Sequence, residues 1–201
     1  PIPEGLAVWQ YELLLSHNDQ RCDHCVPDLG WDANLTTLAQ AAADSCADAD
    51  AYAVPDGAGE NVASGSFYTS AAQVGAAWYA EVDSYRHYGG EPADLADFAT
   101  LWGRFAQLVW ANASALGCGV SYNCSAGATW VCFYDVAPTA GDYAANVLPA
   151  TDGCVAPPLP PAPPPADLPP PSPALPANVD TSGDAISEPD SGTFTGGTVS
   201  G

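Results

Sequence analysis

Residues 105–134 read FAQLVWANASALGCGVSYNCSAGATWVCFY, and the hydrophobic period of this stretch changes partway along it. The first part continues an upstream pattern of apolar residues at three- and four-residue steps, which predicts a helix over about 98–109. The later part alternates and contains Val, Tyr, Trp and Phe, which predicts two strands, 117–122 and 129–136, joined by a short turn. The stretch therefore predicts a helix followed by a β-hairpin.

The chain upstream of this stretch is predicted to be mainly helical. Apolar side chains recur at helical spacing over about 6–24, 33–49 and 70–85. Asp32 or Asn34 can cap the second of these helices. Helices that precede a late pair of strands indicate an α+β fold.

The composition changes after Cys154. Twelve of the twenty residues in 157–176 are proline, which predicts a polyproline II segment of roughly 60 Å. The following residues are rich in Ser, Thr, Gly and Asp and have no hydrophobic period, which predicts disorder. We therefore divide the chain into a globular domain, 1–154, and a disordered, acidic, proline-rich tail, 155–201.

The charge of the chain excludes several classes of partner. There are 24 acidic residues against three arginines and no lysine, and the formal net charge is −21. A surface of this charge repels phosphate backbones and anionic lipid surfaces, so we exclude nucleic acid as a partner. No apolar run approaches the ~20 residues of a membrane helix, so we expect no transmembrane segment. We expect a monomer.

Cysteines and glycosylation sequons indicate an oxidising, extracellular compartment. Seven cysteines in a chain of 201 residues favour secretion. Three Asn-x-Ser/Thr sequons, which are candidate glycosylation sites, begin at Asn34, Asn112 and Asn123. The chain begins at Pro1 without an initiator methionine or a signal peptide, and we interpret it as a processed product.

The segment Cys22-Asp-His-Cys25 permits more than one interpretation. A redox Cys-x-x-Cys motif needs a strand-to-helix context, whereas this segment is predicted at the end of a helix. A zinc knuckle needs a second ligand pair at suitable spacing, and the sequence has none. Structural disulfides are therefore the favoured interpretation.

Six short motifs follow one another in a fixed order between residues 6 and 148. They are His17-Asn18 with Arg21, His24, Leu29 and Trp31; Gly59-Glu60-Asn61-Val62; Trp78-x-x-Glu81; Phe105-Ala106-Gln107-Leu108-Val109-Trp110; Leu116-Gly117-Cys118-Gly119; and Trp130-Val131-Cys132-Phe133-Tyr134. With these motifs the chain resembles the CAP family (cysteine-rich secretory, antigen 5 and pathogenesis-related 1 proteins), although Phe133 stands where asparagine is usual. The resemblance implies a three-layer α-β-α sandwich with a small antiparallel sheet.

The resemblance also implies a central cleft. In the family this cleft usually holds two glutamates and two histidines that can bind a divalent metal. The glutamates correspond to Glu60 and Glu81, whereas the histidine positions fall on Asp50 and Arg104. Arginine cannot donate a lone pair to a metal but can bond carboxylates through its planar fork. We therefore expect a degenerate cleft without metal or other cofactor. Replacing Arg104 by alanine would break a buried ion pair and leave carboxylates uncompensated, at a cost of about 3–5 kcal/mol.

Alternatives remain open for this cleft. Asp50 and the glutamates could bind calcium or magnesium if Arg104 swings away. The cleft could bind an anion or a small molecule, or its polar residues could have no ligand at all. A hydrolase that uses Glu60 and Glu81 as an acid–base pair is a further alternative, although the Gly-x-Ser-x-Gly and His-Glu-x-x-His motifs are absent.

The resemblance pairs Cys46 with Cys124 and Cys118 with Cys132. It leaves three cysteines unassigned, which are Cys22, Cys25 and Cys154. For function, it implies a secreted, non-enzymatic protein of the binding or defence type, with a sterol or fatty-acid-type lipid as ligand. One rival is a cell-wall or matrix glycoprotein in which the proline-rich tail is the working part, and the other is the hydrolase.

Overall fold

The computed structural model describes residues 2–47, 52–88 and 102–151, with the backbone alone for 86–88. The helices and strands are, in chain order, α1 (Val8–Asp23), β1 (Gly30–Trp31), α2 (Ala33–Ser45), β2 (Gly59–Gly65), α3 (Ala71–Tyr79), α4 (Val82–Tyr88), α5 (Gly103–Leu108), β3 (Ala115–Cys124), β4 (Gly127–Tyr134) and α6 (Tyr143–Asn146). Among the described residues, no helix combines the length and the apolar character that a membrane span requires. Asp50, Cys154 and the predicted tail, 155–201, lie outside the described residues.

The described residues form the expected α-β-α sandwich. The four strands lie in the order β1-β3-β4-β2. β2, β4 and β3 pair antiparallel, whereas the two-residue β1 pairs parallel to β3. α2 packs against β3 and β4, while α1, α3 and α5 contact one another and the opposite face. β4 is therefore covered on both faces, and nearly all of it is buried.

The predicted helix over 70–85 is two helices in the structure. α3 begins after Ser70, whose hydroxyl accepts from the Gln73 backbone N–H, and it ends at Tyr79. The chain turns at Ala80 and Glu81 before α4. Because of this turn, the Glu81 carboxylate points toward α5, where it accepts a hydrogen bond from the backbone N–H of Arg104. In a single continuous helix it would instead lie on the helix surface.

Two glycines of β3 allow α2 to lie directly on the sheet. A Cβ atom on Gly117 would overlap the backbone nitrogen of Thr36, and one on Gly119 would overlap the backbone of Gln40. The Gln40 side chain in turn bonds both backbone groups of Val120, at 2.9 and 3.1 Å. The glycines of the Leu-Gly-Cys-Gly motif are thus required by close packing.

Two disulfides fix this layer. Cys46, at the end of α2, is bonded to Cys124 at the end of β3, with a Cα–Cα distance of 5.3 Å. Cys118 and Cys132 face each other across β3 and β4, with a Cα–Cα distance of 4.1 Å. Both pairs match the pairing that the family resemblance implies.

We expect peptide mapping under non-reducing conditions to join Cys25 to Cys154. Cys25 is disulfide-bonded, and its Sγ lies 3.1 Å from the Thr151 hydroxyl. The Thr151 N–H donates to the Asp23 carbonyl at 2.9 Å, so the chain is already held beside Cys25. Three further residues reach Cys154, and an extended chain covers about 10 Å in that distance. A cross-link from Cys25 to Cys22, or to a second chain, would contradict this prediction.

Candidate functional site

Glu81 uses both carboxylate oxygens within the protein. One oxygen, Oε1, accepts from Nη1 of Arg104 at 2.7 Å. The other, Oε2, accepts from the backbone N–H groups of Arg104 and Phe105 at 2.9 and 3.1 Å. These groups lie in the first turn of α5, which has no cap from the side chain of Trp102. Glu81 therefore caps α5 from a distance, because the helix N-terminus attracts a carboxylate.

Arg104 lies over the outer edge of β2. Its Nε donates to the carbonyl of Val62 at 3.2 Å, and the same oxygen accepts from the indole of Trp78 at 3.3 Å. The Arg104 side chain is 43% exposed and that of Glu81 is 14% exposed. The ion pair is therefore partly solvated, which corrects the expectation of a buried pair.

Glu60 has a different environment from Glu81. Glu60 directly precedes Asn61 on β2. Because successive side chains of a strand point to opposite faces, Glu60 lies on the face of the sheet opposite to Asn61. Burial and the neighbouring Glu60 carboxylate raise the pKa of the Tyr52 hydroxyl. The two candidate glutamates thus neighbour different groups, Glu81 an arginine and Glu60 a tyrosine. Asp50, the fourth candidate, lies outside the described residues.

A buried hydrogen-bond chain connects three of the sequence motifs. The Asn61 amide donates to the carbonyl of Arg104 at 3.0 Å and to the hydroxyl of Tyr134 at 3.1 Å. His17 Nδ1 lies 2.8 Å from the Leu13 carbonyl and must donate to it. Its Nε2 therefore accepts from the Tyr134 hydroxyl, also at 2.8 Å. The chain joins α1, β4 and β2 and holds the backbone of α5 at Arg104.

Stability is expected to fall as the pH is lowered through the range in which His17 titrates. Burial lowers the pKa of His17 from 6.5 to about 4, so the folded protein keeps this ring neutral. In the unfolded chain His17 has its ordinary pKa and binds a proton at a higher pH than in the folded protein. The contribution of the neutral His17 ring to the free energy of unfolding is therefore complete above about pH 6.5. By pH 4 it is reduced by up to about 3 kcal/mol. Urea unfolding at a series of pH values measures this loss, and a His17→Gln variant with an equally steep slope between pH 6.5 and 4.5 would contradict it.

Arg21 is a structural residue that the motif alone did not explain. It is fully buried and donates only to backbone carbonyls in the described contacts. Nε bonds Pro27 at 2.6 Å, Nη1 bonds Leu108 and Trp110 at 3.0 and 2.9 Å, and Nη2 bonds Ala113 at 2.9 Å. Burial lowers the pKa of Arg21 to about 10, and the side chain remains charged at neutral pH. It joins the end of α1 to the segment between α5 and β3.

The donor set does not fit a zinc site. Both ring nitrogens of His17 are engaged in hydrogen bonds, as described above. In His24, Nδ1 lies 2.5 Å from the Leu148 carbonyl and Nε2 lies 3.1 Å from the Tyr79 hydroxyl. Arg104 supplies a positive charge beside Glu81, whose oxygens already accept hydrogen bonds. Within the ranges that the structure describes, no three His, Cys, Asp or Glu side chains are grouped to hold a metal ion.

In the described part of the chain, a cavity lies near each edge of the sheet. The cleft cavity, of about 270 Å³, lies at the β2 edge and is lined by residues that include Ser64, Tyr68, Ala77 and Arg104. The N-terminal groove, of about 480 Å³, lies near β1, at the other edge of the sheet. Its lining includes Pro3, Leu6, Leu14, Trp31, Ala33 and Thr36.

The three sequons lie on the surface. Asn34 is exposed in the first turn of α2, Asn112 is exposed before β3, and Asn123 is exposed near the end of β3. Their accessibility is compatible with glycosylation, which stays a prediction.

The α-β-α sandwich, the second helix packed on the glycines of β3 and the order of the sequence motifs define a CAP-type domain. The family model CAP, described as "Cysteine-rich secretory protein family", matches residues 14–134 of this chain. The chain therefore belongs to the CAP family.

Relatives of this chain occur in a plant and in fungi. The chain is 35% identical over 126 residues to "Pathogenesis-related leaf protein 4" of Solanum lycopersicum, an alignment that covers 62% of this chain and 75% of that protein. It is 36% identical over 141 residues to "Protein PRY2" of Saccharomyces cerevisiae, an alignment that covers 66% of this chain and 39% of that protein. It is 34% identical over 132 residues to "Secreted protein RBT4" of Candida albicans, covering 63% and 34%. The chain thus spans well under half the length of these two fungal relatives.

Solved structures of other proteins share the fold. The structure titled "Crystal structure of NaASP2 with Zn2+" superposes with a TM-score of 0.60 at 21% identity, covering 76% of this chain and 91% of that chain. Venom allergen-like protein 4 of Schistosoma mansoni superposes with a TM-score of 0.54 at 20% identity, covering 73% and 97%. At this identity the likeness concerns the fold alone.

Proposed function

We propose that this chain is an extracellular, non-enzymatic CAP module that binds a lipid of the sterol or fatty-acid type. The observation that carries the proposal is the N-terminal groove of about 480 Å³, whose walls include Leu6, Leu14 and Trp31. Its volume falls in the range of about 300–1,000 Å³ that is usual for small-ligand sites, which are mostly apolar. An aliphatic chain or a sterol ring system is the ligand class that suits such walls.

The described part of the cleft supports a non-enzymatic role. A glycosidase-type mechanism needs one carboxyl that donates a proton and a second carboxylate that acts as base or nucleophile. Glu81 instead accepts hydrogen bonds from a guanidinium and two backbone N–H groups. These bonds engage both of its oxygens, so Glu81 is poorly placed to exchange a proton with a substrate.

The proposed location outside the cell rests on chemistry and on relatives. Cys46–Cys124 and Cys118–Cys132 are disulfides of the kind that persist in oxidising compartments. One relative is named a secreted protein and another a pathogenesis-related leaf protein. The second name also supports a role in defence.

Delipidated protein tests the lipid proposal directly. Binding of tritiated cholesterol and of palmitate is measured for the native chain and for two variants of α2. Ala33→Phe places a ring in the groove, and Thr37→Phe places the same ring one turn further along the helix, outside the groove lining. Both positions are exposed, so neither change should disturb folding.

We expect Ala33→Phe to weaken lipid binding at least about tenfold and Thr37→Phe to leave it unchanged. Absence of binding to the native chain, or an equal loss in both variants, would refute the proposal.

A second candidate role is retention in a cell wall or matrix through the tail. The observation that favours it is the twelve prolines of residues 157–176, since such segments are extended spacers and recognition motifs. Deleting 155–201 should release the protein from the wall and leave the melting temperature of the domain nearly unchanged. A fall of many degrees would mean that the tail packs on the domain, and unchanged retention would exclude this role.

A further inference from the structure

The guanidinium of Arg104 has unused hydrogen-bonding capacity. Nη1 bonds Glu81 and Nε bonds the Val62 carbonyl, whereas Nη2 has no hydrogen bond to any residue that the structure describes. With 43% of its side chain exposed, Arg104 lines the cleft cavity of about 270 Å³. An arginine fork that is already held in place can receive a further anionic oxygen without first being ordered.

The scarcity of positive charge makes this position distinctive. The chain has three arginines and no lysine against 24 acidic residues. Arg21 is fully buried and engaged with backbone carbonyls, and the side chain of Arg86 lies outside the described residues. Among the arginines whose side chains are described, Arg104 is therefore the one that solvent can reach.

We propose that the cleft binds a small organic monocarboxylate through the guanidinium of Arg104. The ligand's carboxylate would lie against Nη2, and its apolar body would contact Ala63, Ala77 and the ring of Tyr68. The cavity admits a compact acid and is too small for most of a long-chain lipid. The family position that usually carries a metal ligand would in this chain bind an anion directly.

The surroundings select the charge of the ligand. Glu81 already occupies one side of the guanidinium, and the net charge of the chain is −21. A second negative charge on the ligand would face this field without a further described cation, so phosphate and dicarboxylates are disfavoured. Because fields beyond about 8 Å are screened at physiological ionic strength, a single carboxylate in contact with Arg104 can still bind.

This site is independent of the lipid proposal. The cleft cavity lies at the β2 edge of the sheet and the N-terminal groove near β1, at the opposite edge. Failure of the Ala33→Phe test would therefore not count against the carboxylate proposal. Failure of the carboxylate test would likewise not count against the lipid proposal.

The test is a ligand-observed NMR titration with benzoate, benzamide and inorganic phosphate at 0.15 M ionic strength. Ala77→Leu narrows the cavity while keeping the ion pair, and Ala76→Leu is its matched control, on the exposed neighbouring position of α3. Arg104→Ala removes the guanidinium itself. We expect benzoate to bind the native chain, benzamide and phosphate to bind at least about tenfold more weakly, and Ala76→Leu to behave as native. Ala77→Leu and Arg104→Ala should each lose at least about tenfold in benzoate affinity.

Several outcomes would overturn the proposal. Equal binding of benzamide would show that the carboxylate is not recognised, and equal binding of phosphate would show an unselective anion contact. Native affinity in Ala77→Leu would place the ligand elsewhere. Because Ala77→Leu leaves the Arg104–Glu81 pair intact, the proposal stays testable even if Arg104→Ala fails to fold.

Discussion

Replacing Arg21 by alanine is expected to lower the free energy of unfolding by about 4 kcal/mol or more. Arg21 is fully buried and its guanidinium donates to four backbone carbonyls, those of Pro27, Leu108, Trp110 and Ala113. Each carbonyl left without a donor costs about 1–3 kcal/mol, and truncation also leaves a cavity. Urea unfolding followed by tryptophan fluorescence measures the change.

Arg104→Ala is the matched control for this prediction. Its ion pair with Glu81 is partly exposed, and pairs of this kind contribute about 1 kcal/mol or less. Glu81 would keep its two backbone donors after the change. Equal destabilisation by Arg21→Ala and Arg104→Ala would contradict the assignment of Arg21 as the structural arginine and Arg104 as the arginine of the cleft.

Replacing Gly117 by alanine is expected to destabilise the protein by about 3 kcal/mol or more. The added methyl group would overlap the backbone of α2 at Asp32, Leu35 and Thr36, and a backbone cannot move aside as a flexible side chain can. α2 would have to move away from the sheet, although Cys46–Cys124 holds its other end to β3. Thermal and urea unfolding both measure the effect.

Gly30→Ala is the control for this second prediction. Gly30 is also a strand residue, but a Cβ atom there meets only the Ser114 carbonyl, at 3.7 Å, which is an ordinary contact. We expect a change of less than about 1 kcal/mol. If both alanine variants proved equally stable, α2 would not rest on the glycines of β3 as the structure shows.

The order of the sequence motifs predicts the fold because each motif is a packing or hydrogen-bonding device. The chain from Asn61 through Tyr134 to His17 connects three motifs that lie far apart in the sequence. The hairpin was also predictable, since its residues alternate over β3 and β4. The resemblance identified the positions of Glu81 and Arg104, which the structure brings together.

Other features depend on tertiary contacts that no local pattern records. Strand β2 was missed because Asn61, a polar residue, points into the core and is satisfied there by Tyr134 and the Arg104 carbonyl. The break after Tyr79 was missed because no Gly or Pro marks it, and Glu81 turns to cap a helix that lies more than twenty residues further on. The exposure of Arg104 likewise follows from its position at the sheet edge.

Calorimetric titration of zinc tests the central claim, that the cleft is an arginine–glutamate site rather than a metal site. The native chain should show no stoichiometric zinc binding, because Arg104 holds a fixed positive charge beside Glu81 and cannot act as a ligand. The double variant Asp50→His and Arg104→His, which restores both histidine positions of the family, serves as the positive control and should gain zinc affinity. Tight one-to-one zinc binding by the native chain would contradict the account.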